Sequence, residues 1–510
     1  MKKLFALCMV TLILLSAVSC TSDSKKTSDP STANPTAAPD SSAQFPNGNE
    51  PYVIEYYMLA NSASYEADNI MNEINKIILP KIGATVNITM ITWDDWFAKV
   101  NGDIRAGEKV DIVFTADWYQ YMDSIASGYF LPLNDLMDTY GAPAKALLGE
   151  TFINGCQVGG ILYGVPTNKE LAVNGGFIYN KTLLDKYGLK VDTNWKSLRD
   201  WEPLLKVIME NEPDVVPVLS DGYWDHMNIV TNLPCELAFD GNTNAAVIEW
   251  RYDYPWYMEE LRVIRDFANK GYIPDGAVSS KDLDWVVNHV AQGNFFLLTD
   301  ALKPGKGKST EYMALLVDPD IKYDEFETYP LMVNTRHSGG SMLAIPVTSQ
   351  NPAVVMQFIN EMHTNPDITN LLAWGVENRQ YTVVSENPKR VKPMENDSWI
   401  PAVLVWTLGN QFNVYLSDIE PEDKYPLMAA TKVGVPEHIA NGFRFDVSGF
   451  QDEITAINNI HDEYRIPIRL GLIDPDEGVA AMRAEIEAAG FSRLKAAVVA
   501  DFEKWLTGSR

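Results

Sequence analysis

The chain has 510 residues, more than one hydrophobic core usually holds, so at least two lobes are expected. Its formal net charge of −27, spread along the chain, excludes the basic footprint that nucleic acid requires and sets a repulsive field against a strongly anionic ligand, so neutral or cationic ligands fit better. Hydrophobic residues make up 46%, an ordinary globular proportion.

Lys2 and Lys3 open the chain, an apolar run follows from Leu4 to Leu15, and Ser16, Ala17, Val18 and Ser19 precede Cys20. A basic start, a short apolar stretch and small residues make a secretory signal over 1–19, too short for a permanent membrane span. Ala17-Val18-Ser19-Cys20 resembles the bacterial lipobox, although Ala17 stands where Leu is more usual. That resemblance implies lipidation of Cys20, palmitate included; the alternative is ordinary cleavage to a free protein. Residues 20–49 hold almost no large apolar side chains, so they are expected to form a flexible tether. Lipid, tether and folded body together describe a protein held at a cell membrane and facing outward, extracellular or periplasmic. Of the four Cys, only Cys156 and Cys235 fall in the body, too few for a disulfide framework; free, buried thiols are expected.

The body starts with a strand at Tyr52–Met58, then a helix whose Ile70, Ile74, Ile77 and Ile78 have helical spacing. A strand at Val86–Ile91, a helix near Trp96–Ile104 and a strand at Val110–Phe114 follow. Alternation of strands and helices predicts a mostly parallel sheet covered on both faces, with ligand beyond the carboxyl ends of the strands. Those ends carry Asn61, Trp93, Trp96, Asp117 and Trp118. A hairpin from Cys156 to Val165 leads into Pro166-Thr167-Asn168-Lys169-Glu170, and a second α/β unit follows: a strand at Gly176–Tyr179, a helix capped by Asp200, and strands at Val216–Leu219 and Phe295–Leu298, the last ending at Asp300. Met342–Ile345 reads as a short buried strand, Asn351-Pro352 as a helix start, and 452–506 as mainly helical, with His461-Asp462-Glu463 on a solvated face.

Asp111-Ile112-Val113-Phe114, Gly128-Tyr129-Phe130-Leu131-Pro132-Leu133 and Leu162-Tyr163-Gly164-Val165-Pro166, with the helix after Asn351-Pro352, resemble the extracellular solute-binding proteins of bacterial ABC importers, family 1. Gly409-Asn410-Gln411-Phe412, Gly442-Phe443-Arg444-Phe445-Asp446 and Gly471-Leu472-Ile473-Asp474-Pro475 resemble the C-terminal module of the LplA-like lipoproteins. The resemblance implies an α/β fold, a two-lobed clamshell of the type II periplasmic-binding-protein kind with a mostly helical C-terminal region. It places lobe 1 at 50–166 and 346–395, lobe 2 at 167–345, and the helical module at 396–510, packed on the lobes. It implies a monomer that closes on a small-molecule ligand, a carbohydrate and above all an oligosaccharide, and delivers it to ABC permease subunits.

A sugar ring has an apolar face and a polar rim, which an aromatic platform with nearby amides and carboxylates suits. The candidate ligand residues are therefore Asn61, Trp93, Trp96, Asp117, Trp118, Asn168, Glu170, Trp224, Asp300, Trp374, Glu377 and Tyr381. Each has a plainer reading: core packing for the tryptophans, evenly balanced for Trp96; turn chemistry for Asn168; a helix stop at Gly375 for the Trp374–Glu377 stretch; a turn cap for Asp300. No catalytic motif is complete. Gly305-Lys306-Gly307-Lys308-Ser309 lacks the first Gly of a phosphate loop, and pairs such as Asp94-Asp95 with Asp284 arise by chance among 68 acidic residues. No metal or cofactor is expected. The competing readings are a surface-anchored glycoside hydrolase, which the order of family-like segments does not support, and a ligand-binding partner of a membrane sensor.

Overall fold

The computed structural model describes residues 50–220, 222–274, 284–303, 318 and 320–508. The expectations for the signal, the tether and Cys20, and for the stretch 305–309, lie outside the described residues, as does the side chain of Asp284.

Tyr52–Ala60 is an interior strand of the five-stranded first sheet, flanked in parallel by Ala84–Thr92 at the edge and by the central Ile112–Thr115. Its register is set early, Tyr52 opposite Ala84 and Ala60 opposite Thr92. The helix Ala67–Ile82 lays Ile70, Ile74 and Ile78 on this sheet, because positions three and four apart share a helical face. The sheet continues through Met342–Ala344 to Val165–Pro166, and both of those joints are antiparallel. The expected mostly parallel sheet is thus a mixed one. The two added strands are stretches where the chain leaves for the second sheet and returns from it, so no local crossover helix fixes their direction.

The second sheet has the order 323–327, 174–180, 295–302, 216–219, and only its last joint is parallel. Every position of Asn174–Asn180 is buried, as expected of a strand covered on both faces. Beside it the helical segment beginning at 198 is capped by Ser197 rather than by Asp200. Asp200 is the reciprocal partner: the Ser197 backbone N–H donates to its Oδ2 at 3.0 Å, closing a capping box.

The first sheet has one hydrophobic core and the second has two, a large one and a small one around Ile178, Leu219 and Phe295; residues 396–506 divide between the first core and the large second one. Trp399, Val403, Leu408 and Val414 join the first core. Phe443 and the helices Gln451–Arg469, Pro475–Ala488 and Phe491–Leu506 join the second, through Ile457, Met482, Leu494 and Phe502 among others. A hairpin of Tyr381–Glu386 and Lys389–Pro393 adds an element that the sequence reading lacked. Cys156 and Cys235 are free and buried. Among the described residues no helix is long and apolar enough to cross a membrane.

His461 is buried rather than on a solvated face, and it accepts a hydrogen bond from Trp250 Nε1–H at 3.3 Å. Burial pushes His461 and His438 down to about 4 from the ordinary 6.5. A folded state that resists protonation where the unfolded chain accepts it loses stability as pH falls from 6.5 towards 4. Urea denaturation should therefore show a lower unfolding free energy at about pH 5 than at about pH 7, and the His438→Gln/His461→Gln double variant should flatten that slope. An unchanged slope in the variant removes these histidines as its source.

Candidate ligand-binding site

Three stretches, each flanked on both sides by residues of the first core, are braided together. The Thr167 N–H donates to Ser341 O at 2.9 Å, the Asn168 N–H to Gly409 O at 2.8 Å, and the Gln411 N–H to Asn168 O at 2.9 Å. Asn168 Nδ2 donates to Asn410 Oδ1 at 2.9 Å, and Lys432 donates to Asn168 Oδ1. These bonds satisfy buried backbone within the first lobe, which a chain in a low-dielectric interior must do.

Against this braid stands an aromatic wall. Trp93, Trp118 and Trp406 have ring centroids 6.0–6.2 Å apart, with Phe114 and Tyr119 beneath them. Trp118 is 43% exposed, unusual for so large an apolar ring. Its Nε1–H donates to Gly340 O at 2.8 Å, and the hydroxyl of the neighbouring Ser341 donates to Trp406 O at 3.0 Å. Braid and wall are therefore one construction.

Trp118 overlooks two cavities, of about 320 and 430 Å³, that share Trp118, Thr231, Glu236, Arg251 and Arg336 in their linings. The first is closed by second-lobe residues, among them Tyr223, Trp224, Asp225, Asn228 and Lys303. The second runs between Asp117–Asp123, Thr231–Glu236 and the segment from Arg444 to Asn458.

Two buried ionic clusters shape these walls. Asp117 takes both oxygens to Arg444, at 2.7 and 2.8 Å from Nη2, and Arg444 Nη1 also donates to Gln157 O. The pair fits because residue 339 is Gly: a Cβ there would lie 2.1 Å from Asp117 Oδ2. Burial still holds the Asp117 carboxyl above its ordinary value, against the pull of Arg444. Deeper in the first cavity Glu236 pairs with Arg251 and with Arg469, the latter at 3.0 Å. Burial opposes its ionisation, but the two guanidiniums win and hold it down to about 2.

The sequence candidates fall into three groups. Trp118 and Trp224 line the first cavity, Asp117 and Trp118 the second, and Trp93 stacks behind Trp118. Asn168 and Glu170 are near but serve other groups: Asn168 knots the braid, while Glu170 is a buried counter-ion for Lys169 at 2.8 Å and Lys303 at 3.1 Å, both of which line the first cavity. Asp300 pairs in register with Gly176 inside its strand, two residues before Leu302 ends it. The remaining candidates line neither cavity. Trp96 is 2% exposed and packs edge-on to Phe114, as core. Asn61 is exposed and donates to Pro401 O at 3.4 Å. Trp374 and Tyr381 are buried, and with Glu377 they pack against Tyr415 and Lys389 around the hairpin, just past a helix that stops at Gly375 with φ 78°. Trp406 and Arg336 were missed; nothing in their flanking sequence marks a cleft, and only the fold brings them to Trp118.

A family model described as bacterial extracellular solute-binding protein matches residues 71–367, and a domain family of unknown function matches residues 439–507. A carbohydrate ABC transporter substrate-binding protein of Streptococcus pneumoniae is 26% identical over 87% of this chain and 88% of its own. Among solved structures, the N-glycan transport solute-binding protein NgtS of Streptococcus pneumoniae superimposes with a TM-score of 0.78 at 24% identity, covering 90% of this chain and 100% of that one. An HMO-binding, ABC-transporter-associated solute-binding protein from Bifidobacterium longum infantis superimposes at 0.62 with 14% identity, over 90% and 99%.

Removing one member of a buried, hydrogen-bonded pair strands the other charge. Arg444→Ala should lower the unfolding free energy by about 3–5 kcal/mol, and adding Asp117→Ala should cost less than the sum of the single changes. Urea denaturation curves for the three variants check this, and strict additivity would remove the pair's role.

Proposed function

Because the chain belongs to the bacterial extracellular solute-binding protein family, a family of binding proteins rather than enzymes, we propose that its cleft captures an oligosaccharide between the lobes and delivers it to the permease of an ABC importer. The observation that carries this reading is the exposed ring of Trp118, backed by Trp93 and Trp406 and facing polar side chains across cavities of about 320 and 430 Å³. The carbohydrate name of the pneumococcal relative agrees with it. In this reading the protein acts as a monomer, tethered through residues 20–49 to a lipid on Cys20 and facing outward from the cell membrane.

Hinge closure over the ligand would be what the permease reads. The chain changes core between Ala172 and Phe177, between Phe326 and Val333 and between Val414 and Ala440, and these stretches are where the lobes would turn.

Calorimetric titration with mono- and oligosaccharides should find one-to-one binding of an oligosaccharide at about micromolar dissociation constant or tighter, with no reducing ends released. Trp118→Ala should weaken that binding at least about tenfold while the far-ultraviolet spectrum stays unchanged. Small-angle scattering should show a smaller radius of gyration with ligand. Overlaying scattering curves, or an unaltered constant in the Trp118 variant, would count against the clamshell or the aromatic seat respectively.

A further inference from the structure

The first cavity holds six cationic side chains, Lys169, Arg251, Lys303, Arg336, Arg465 and Arg469, in a protein of net charge −27. Most are matched. Glu170 is divided between Lys169 and Lys303, and Glu236 between Arg251 and Arg469. Arg465 turns to the exposed Asp462 at 3.1 Å, and Asp225 and Asp300 add negative charge near Lys303. Behind the wall Lys432 stands close enough to Glu170 to feel its charge. Among the described residues, Arg336 has no carboxylate paired with it; its one hydrogen bond is a long one, 3.5 Å from Nη1 to Thr231 Oγ1.

Arg336 is placed as a recognition group would be. It is exposed, and it lines both cavities, as Trp118 does. Its backbone is fixed on the short helical turn Thr335–Ser338, whose Asn334 cap accepts from the His337 N–H at 3.1 Å. Thr335 Oγ1 donates to Ala440 O at 2.9 Å, tying the same turn to the C-terminal segment. Asp117 is close enough for its charge to be felt, but both of its oxygens are occupied by Arg444. In the second cavity the charges balance: Asp117, Asp123 and Glu236 against Arg251, Arg336 and Arg444. The excess therefore lies on the first-cavity side of Trp118. The acidic residues elsewhere on the surface are screened over roughly 8–10 Å at physiological salt, so the local cations set the field that a bound group meets.

Resting on the saccharide reading above, we propose that the ligand is an acidic oligosaccharide, with a carboxylate or sulfate group held by the Arg336 guanidinium while a ring of the same chain lies on Trp118. A planar guanidinium matches either anion through two parallel N–H donors, and a substituent in the plane of a stacked ring is presented edge-on to such a fork. The neutral remainder of the ligand extends into the balanced second cavity.

The test uses matched probes on the purified protein: trigalacturonate and its methyl ester, 3′-sialyllactose and lactose, and sulfated against unsulfated lactose, within a wider glycan array. At least one acidic member should bind about tenfold tighter than its neutral partner, and Arg336→Gln should cut that preference to about threefold or less with no change in melting temperature. Which acidic arm responds names the anion. A preference for neutral glycans, or an acidic preference that Arg336→Gln leaves intact, overturns the proposal while the saccharide reading stands. An array with no bound glycan of either kind overturns both.

Discussion

A chain that builds two separate hydrophobic cores must pass between them, and each passage carries backbone donors and acceptors into a place with little water. Here three passages satisfy one another: the Thr328 N–H donates to Gly175 O at 3.2 Å, the Val333 N–H to Pro436 O at 2.9 Å and the His438 N–H to Val333 O at 2.7 Å, and on the first-lobe side a braid continues the pattern. Residues 167 and 168 bond to 341 and to 409–411, and the Asn168 side chain spans to Asn410. The cost of burying unpaired amides makes this arrangement obligatory, not decorative. It also fixes the two added strands of the first sheet, since Val165–Pro166 and Met342–Ala344 pair on their way through.

The same braid holds the wall that faces ligand. Gly340 receives the Trp118 indole N–H and the Ser341 hydroxyl donates to the backbone carbonyl of Trp406, so one short segment ties both residues. The Asp117–Arg444 pair then clamps the residue before Trp118 to a segment whose neighbours pack in the other core. Any rotation of one lobe against the other must pull on this pair. An exposed tryptophan is thereby kept in place without being buried, which a binding platform requires: a ring free to rotate would lose entropy on meeting a sugar.

Much of the architecture could be read from residue spacing. Ile70, Ile74 and Ile78 announced their helix, and the apolar runs at 52–58 and 295–298 announced strands that the structure extends to Ala60 and Leu302. What spacing could not give was direction in the sheets, because antiparallel joints come from passages between lobes rather than from local crossovers. The site was partly legible. Trp118 stood just past a strand end, where an α/β sheet leaves room for ligand, and it lines the cavities. Trp96, three residues after Trp93 on the helix Trp93–Ala106, turns inward because that helix begins directly at the strand end, leaving no loop. Trp406 and Arg336 come from 3₁₀ or single-turn segments with no period, so only the fold could bring them to Trp118.

Net charge was the least transferable of the sequence signals. A value of −27 describes the field that the whole surface presents to a large polyanion such as nucleic acid. It argued against anionic ligands only on the assumption that the cleft shares the average. The cleft does not, because buried carboxylates are rationed there: each needs desolvated donors to stay ionised, and Glu170 and Glu236 each secure two cations to do so. Holding two carboxylates inside the protein thus imports four cations, and the surplus faces the cavity. The local field is a by-product of stabilising buried acids, and Arg336, which acts on Asp117 only at a distance and pairs with no carboxylate among the described residues, is the cation left available to a ligand.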